Sequence, residues 1–236
     1  VIPLRDDQPS RIKPVMTWVL IGINVVAFLY EVLLGPRLEP FLMQAAFVPS
    51  RLFGGGGAAG GDLQVDNALV SMFLHGGWAH IGGNMLFLWI FGDNVEDRLG
   101  HGRYAVFYLL CGMLASYAHA FANPHSPVPA VGASGAIAGV LGAYLFLYPR
   151  AHVLTAVVLG FYVTTVAIPV IFYLPIWFLL QLVSGFAAIG RTSAETQAGG
   201  VAFWAHIGGF VAGPLLLLLL GGRRRPRRRA DVPPWA

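Results

Sequence analysis

Three polar clusters interrupt an otherwise apolar chain, and each holds residue types that can do chemistry. Gly132-Ala133-Ser134-Gly135 offers a hydroxyl, and His75, His80 and Asn84 offer two imidazoles and an amide. Ala205-His206-Ile207-Gly208-Gly209 adds a third imidazole. A serine hydroxyl becomes a nucleophile only when a base takes its proton, and His206, titratable near neutrality, is the natural base. His80 and Asn84 stand at i and i+4, so they share one helix face. Both can donate hydrogen bonds, and with the Ser134 backbone N–H they suit the oxyanion that develops in peptide-bond cleavage. No acidic residue lies within a span near these groups, so the expected machinery is a Ser–His dyad and not a triad.

Each residue also has a plainer use. Ser134 opens an apolar segment, where a serine can simply cap a helix, and His206 can simply bond two helices together. A metal held by His75, His80 and His206 is a third reading. It lacks a carboxylate or thiolate partner, and no H-E-x-x-H occurs, so no metal is expected. Small-residue faces favour the dyad. Gly209 and Gly213 lie beside His206, and Gly135, Ala138, Gly139 and Gly142 lie beside Ser134. Such faces let two helices approach closely enough for a hydroxyl to reach an imidazole.

The elements that must position these groups are set by composition. Of 236 residues, 56% are hydrophobic and 11% charged, against about a quarter charged in soluble domains; mean hydropathy is +0.67. Lipid is the expected solvent. Six apolar segments predict an all-α bundle: Pro14–Leu34, Trp78–Val95 ending at the charged Glu96-Asp97-Arg98, Tyr104–Phe121, Ser134–Tyr148, Ile168–Ile189 and Gly200–Leu220. Val153 to Ala167 is expected as an interfacial or re-entrant stretch. The fourth segment is short, roughly 22 Å of helix against roughly 30 Å of hydrocarbon. Ser134 is therefore expected below the outer surface, in a wet depression.

Twelve of the fifteen Lys and Arg residues fall on one side if both termini are cytoplasmic, leaving only Arg37, Arg51 and Arg191 outside. The positive-inside rule favours that arrangement. It divides the chain into a cytoplasmic segment 1–13, a six-span domain 14–221 and a basic tail 222–236. The tail arginines, Arg223 to Arg229, follow an apolar run directly, so they read as an anchor on anionic lipid and not as a nucleic-acid site. No cleavable signal is expected before the first span. In the outer loop, Phe41 to Val48 is expected at the membrane interface and the glycines of 54–61 as flexible. Cys111, inside an apolar stretch, reads as packing.

These clusters resemble those of the rhomboid intramembrane serine proteases: G-x-S-G at Ser134, H-x-x-x-x-H-x-x-x-N at His75, His80 and Asn84, and A-H-x-x-G-x-x-x-G at Ala205, His206, Gly209 and Gly213. The resemblance spans about residues 14 to 220. It implies Ser134 as nucleophile, His206 as general base, His80 and Asn84 as oxyanion donors, and a supporting role for His75, with Gly132 and Gly135 framing the serine. It implies single-pass membrane proteins as substrates, cut near the outer end of their span after a small residue. The fifth segment and the outer loops are implied to gate access, and no cofactor is implied. Ala138 departs from the pattern, standing where many members carry an aromatic packed on the catalytic histidine. The alternatives are a catalytically silent binder of transmembrane clients and a six-span transporter, although no internal repeat or intramembrane carboxylate for proton coupling is evident. An α/β-hydrolase is excluded, because Ala136 occupies the last glycine of G-x-S-x-G and no parallel-sheet pattern exists. Paired intramembrane aspartates are lacking too. Short loops point to a bacterial inner membrane.

Overall fold

Most of the chain is helical, and the elements follow the run of apolar segments. The computed structural model describes residues 2–54, 63–160, 162–188 and 203–221. Helices α1 (Val15–Leu34), α5 (Trp78–Leu99), α6 (His101–Ala122), α7 (Ser134–Leu147), α8 (Val170–Ala188) and α9 (Phe203–Leu220) correspond to the six expected segments. After α1 the chain makes a 3-10 turn and three short helices, α2 (Leu38–Ala45), α3 (Pro49–Leu52) and α4 (Val65–Ser71). The expected flexibility of the glycine run and the basic tail lie outside the described residues, apart from Gly54.

Among the described residues, three stretches are long and apolar enough to cross a membrane by length and composition: Val15–Ala45, His101–Ala122 and Phe203–Leu220. Ser134–Leu147 and Val170–Leu180 are shorter apolar helices. Large apolar side chains face outward on several of them, including Val26, Leu33, Phe172 and Leu219. A water-soluble surface would not carry so many. At the centre stands α7, buried at every residue from Gly135 to Tyr144, as a helix that is apolar all round must be. It shares one core cluster with Leu88 and Phe91 of α5 and Tyr104, Phe107, Tyr108 and Cys111 of α6.

The helix ending at α5 differs from expectation. Glu96-Asp97-Arg98 does not stop it; the helix runs on to Leu99 and breaks at Gly100, whose φ of 80° suits glycine. The charges continue the helix because two of them point inward. Glu96 is fully buried and accepts the N–H groups of Met16 and Thr17 at 2.8 and 2.7 Å, together with the Thr17 hydroxyl at 2.7 Å. These are unpaired first-turn donors of α1, which begins after Pro14 without a side-chain cap of its own. Asp97 accepts the N–H of Arg11 at 3.3 Å.

The all-α expectation also needs amending. Strands β1 (Ile2–Asp6), β2 (His152–Leu159) and β3 (Tyr162–Pro169) form an antiparallel sheet in that order. Residues 153–167, expected at the interface or re-entrant, are thus a hairpin. Valines and threonines dominate both strands, and such β-branched residues favour extended backbone. Gly160, at φ 62°, turns the chain between them. The sheet lies at the far end of α7 from Ser134. Asp7 fastens β1 to β2, accepting the His152 N–H at 2.9 Å and facing its Nδ1 at 3.1 Å. The Asp6 carboxylate accepts Asn94 Nδ2 of α5 at 3.1 Å and the Tyr144 hydroxyl of α7.

Burial raises the Asp6 carboxyl to about 7, the nearby Asp93 and Asp7 charges push the same way, and the Tyr144 hydrogen bond opposes them. The folded chain therefore holds this proton more tightly than the unfolded one. Its contribution favours the docked strand at acid pH and is lost as pH rises through about 7. Amide exchange in β1 and β2, corrected for intrinsic rates, should show easier opening at about pH 8 than at about pH 5. Asp6→Asn should flatten that trend. A wild-type profile with no pH dependence would remove Asp6 from the docking energetics.

Candidate active site

Ser134 is the first residue of α7, with Ala133 as its N-cap and no side-chain capping bond. The helix-cap use of the serine is therefore not realised. Its Oγ lies instead 2.7 Å from Nε2 of His206. The hydroxyl is half-buried and the imidazole buried, so the pair is sheltered yet reachable from the serine side. His206 is the fourth residue of α9. Ser134 and His206 both stand near the starts of their helices, which run parallel.

That distance depends on glycine. A Cβ on Gly209 would lie 2.0 Å from the carbonyl oxygen of Gly135, one on Gly213 2.0 Å from that of Gly139, and one on Gly142 2.1 Å from that of Phe210. All three obstacles are backbone, which no side-chain rotation can clear. The small faces expected on the two helices thus meet each other. Cys111 packs against the same place, its Sγ 2.4 Å from where a Cβ on Gly139 would be.

On the other side of the serine, α5 brings His80 and Asn84. Gly132 sits between imidazole and hydroxyl. A Cβ there would lie 2.9 Å from His80 Nε2 and 3.6 Å from Ser134 Oγ, and its φ of 130° disfavours any side chain. The Gly76 N–H donates to His80 Nδ1 at 3.3 Å. In the neutral ring this places the proton on Nε2, the nitrogen that faces Gly132. Asn84 Nδ2 is buried and finds no acceptor among the described residues. His75, also buried, packs its ring against His80 in a T-shaped contact with centroids 5.1 Å apart. Ser134, His206, Gly132 and His80 meet around the start of α7, with His75 against His80, while Gly209 and Gly213 lie along the contact with Gly135 and Gly139.

Two neighbours were not anticipated. Glu31 of α1 is 1% exposed, and its two carboxylate oxygens accept the His75 N–H at 3.0 and 3.2 Å. The expectation that no acid lies within a span near these groups is corrected by this residue. Its signal was available, as the one acidic residue of the first apolar segment. The second is Trp177 of α8. Ala138 is too small to cover His206, and the indole of Trp177 does so instead, with centroids 5.8 Å apart and planes tilted by 34°. Nothing in the spacing from Ser134 pointed to it, because it comes from another helix. Among the described residues no group of three or more His, Cys, Asp or Glu side chains is placed to hold a metal ion.

Comparison with known proteins agrees on one family. A family model described as "Rhomboid domain" matches residues 62–223. Rhomboid protease GluP of Bacillus subtilis is 34% identical over 136 residues, covering 57% of this chain and 25% of that protein. Rhomboid protein 1, mitochondrial, of Saccharomyces cerevisiae is 31% identical over 149 residues, 59% of this chain and 38% of that protein. RHOMBOID-like protein 5 of Arabidopsis thaliana is 28% identical over 141 residues, 59% and 43% respectively. The chain thus spans a quarter to somewhat under half the length of these relatives.

The glycine contacts yield a sharp contrast in stability. Gly209→Ala should destabilise the bundle by about 1–3 kcal/mol or more, the range for overpacking. Gly82→Ala, where a Cβ meets nothing within 4 Å, should be neutral or stabilise α5 by up to about 1 kcal/mol. Thermal unfolding in detergent reads both. Equal melting temperatures for the two variants would show that α7 and α9 are not in backbone contact.

Proposed function

The chain belongs to the rhomboid family, and from that premise we propose that it is an intramembrane serine endopeptidase, hydrolysing peptide bonds in or near transmembrane segments of single-pass membrane proteins. The observation that carries this reading is the 2.7 Å contact between Ser134 Oγ and His206 Nε2. In the proposed reaction His206 Nε2 accepts the hydroxyl proton as Ser134 Oγ attacks the scissile carbonyl carbon. The carbonyl oxygen becomes an oxyanion, and His80 Nε2–H, the Asn84 amide and the Ser134 N–H donate to it. His206 then returns the proton to the departing amine, and water releases the acyl group by the same path reversed.

Several features support the individual roles. An amide donor buried without an acceptor, as at Asn84, costs about 1–3 kcal/mol, a penalty that is understandable if the acceptor arrives with the substrate. The chain is an integral membrane protein, as its family and apolar helices indicate. We propose six crossings with both termini cytoplasmic, supported by the six apolar helices and the distribution of arginine, and a bacterial inner membrane, supported by the short loops. The 14 residues of α7 measure about 21 Å against about 30 Å of hydrocarbon. That shortfall supports a site below the headgroups, where irregular backbone must line a wet cavity or lie within protein.

A serine-directed fluorophosphonate tests the dyad. Labelling is expected at Ser134, absent in Ser134→Ala and strongly reduced in His206→Ala, with cleavage of a panel of tagged single-pass proteins lost in parallel. Labelling that survives Ser134→Ala would remove the serine from the mechanism, and clean binding without cleavage would favour a silent client-binding relative. For the oxyanion side, Asn84→Ala should lower the cleavage rate by about 10- to 1,000-fold with melting temperature little changed. An unchanged rate would leave Asn84 as a packing residue.

A further inference from the structure

Glu31 is a buried carboxylate in an apolar helix. Its oxygens are spent on a backbone N–H of the turn that precedes α5, not on a cation. Charged groups at such depth are costly and persist where they do something specific. Both oxygens face the His75 N–H, at 3.0 and 3.2 Å. The next peptide along carries the second half of the arrangement, since the Gly76 N–H donates to His80 Nδ1 at 3.3 Å. Successive peptide planes share a Cα, so fixing the direction of one N–H restricts the other. The rest of the turn is held from the same face of α1. Phe28, one helical turn before Glu31, sets its ring edgewise on both His75 and Trp78. The His75 ring is directed back to the Phe73 carbonyl through Nδ1 at 3.3 Å, and it stands steeply inclined to the His80 ring.

We propose that Glu31 is a positioning residue for His80. By anchoring the 75–76 turn it keeps the Gly76 N–H on His80 Nδ1, which holds the neutral ring in the tautomer whose proton is on Nε2 and aims that proton past Gly132 toward the oxygen of the bound carbonyl. This rests on the protease reading for its catalytic consequence but not for its structural one. The role is indirect, because Glu31 touches neither Ser134 nor the reacting atoms.

The full chain in detergent provides the test, with a transmembrane substrate and with 15N-labelled histidine observed by NMR. Glu31→Leu should lower kcat by about tenfold or more, as loss of an aligned oxyanion donor does, with KM within about threefold of wild type. The His80 ring signals should move from the Nε2–H pattern toward a mixture of tautomers. Glu31→Gln keeps one acceptor oxygen and should restore most of both readouts. If Glu31→Leu does not fold, Glu31→Asp decides. It keeps the charge but withdraws the acceptor by about 1.5 Å, one carbon–carbon bond, and should show the same two changes. A Glu31→Leu or Glu31→Asp chain with wild-type kcat and unaltered His80 signals would overturn the proposal. A wild-type chain that neither labels nor cleaves would instead sink the protease reading, and the His80 signals would still decide whether Glu31 sets the tautomer.

Discussion

Gly135 and Gly139 present their carbonyl oxygens to Gly209 and Gly213 at a separation that leaves no room for a Cβ. The Ser134–His206 hydrogen bond is the side-chain expression of that backbone contact. A serine side chain is short, and an imidazole reaches only a few ångströms from its helix, so two helices at ordinary spacing of 8–10 Å between axes would need longer groups to meet. Close approach lets short, stiff side chains do so at 2.7 Å. The small residues therefore set this side-chain contact as much as the packing. Burial of α7 on every side fixes one partner, and the glycine face then fixes the other relative to it.

A second theme is the use of carboxylates on backbone. Glu96 accepts two first-turn N–H groups of α1, Glu31 accepts the His75 N–H, and Asp7 accepts the His152 N–H. Each serves a place where regular structure starts or breaks and a peptide donor would otherwise be buried unpaired, which is costly in a medium that offers no water. Carboxyl groups suit such places because their two oxygens can take several donors. Thus acids sit at the joints of the bundle, while the helix interiors between them are apolar.

How much of this can be read from the chain alone follows from what kind of signal each feature leaves. Ser134, His80, Asn84 and His206 stand out because polar residues are rare in apolar segments, and glycines at intervals of four mark a contact face whatever its partner. The six helices are legible from apolar length. The sheet is not, because an apolar run of valines and threonines looks alike as a membrane-interface segment and as a buried strand, and periodicity alone does not separate them. Its partner, β1, is a short polar-flanked stretch about 150 residues away. Glu31 was visible as an odd acid, but its acceptor role was not, since a backbone N–H carries no residue identity. Trp177 was hidden for another reason. It takes the place next to His206 that Ala138 leaves open, and only the approach of α8 to α9 reveals it.

The satisfied and unsatisfied polar atoms divide unevenly over the molecule. At the joints the acids are saturated with donors. Asn84 Nδ2 and His75 Nε2 are buried without partners among the described residues, as are Asn24 Oδ1 and Asn94 Oδ1. The Tyr104 and Tyr108 hydroxyls, deep in the core, lie against the side chains of Thr17 and Asn24. At about 1–3 kcal/mol for each unpaired group, such atoms are tolerated only where the surroundings leave them no alternative. Near the serine the reason is geometric. Asn84 is carried by α5, and Gly132 leaves the space in front of His80 Nε2 free of side chain. A site that must greet charge arising during a reaction needs donors held in this way beforehand, because reorientation at that moment would forfeit their advantage. In the proposed reaction, the glycine contacts and buried acids supply the rigidity that would hold such donors in place.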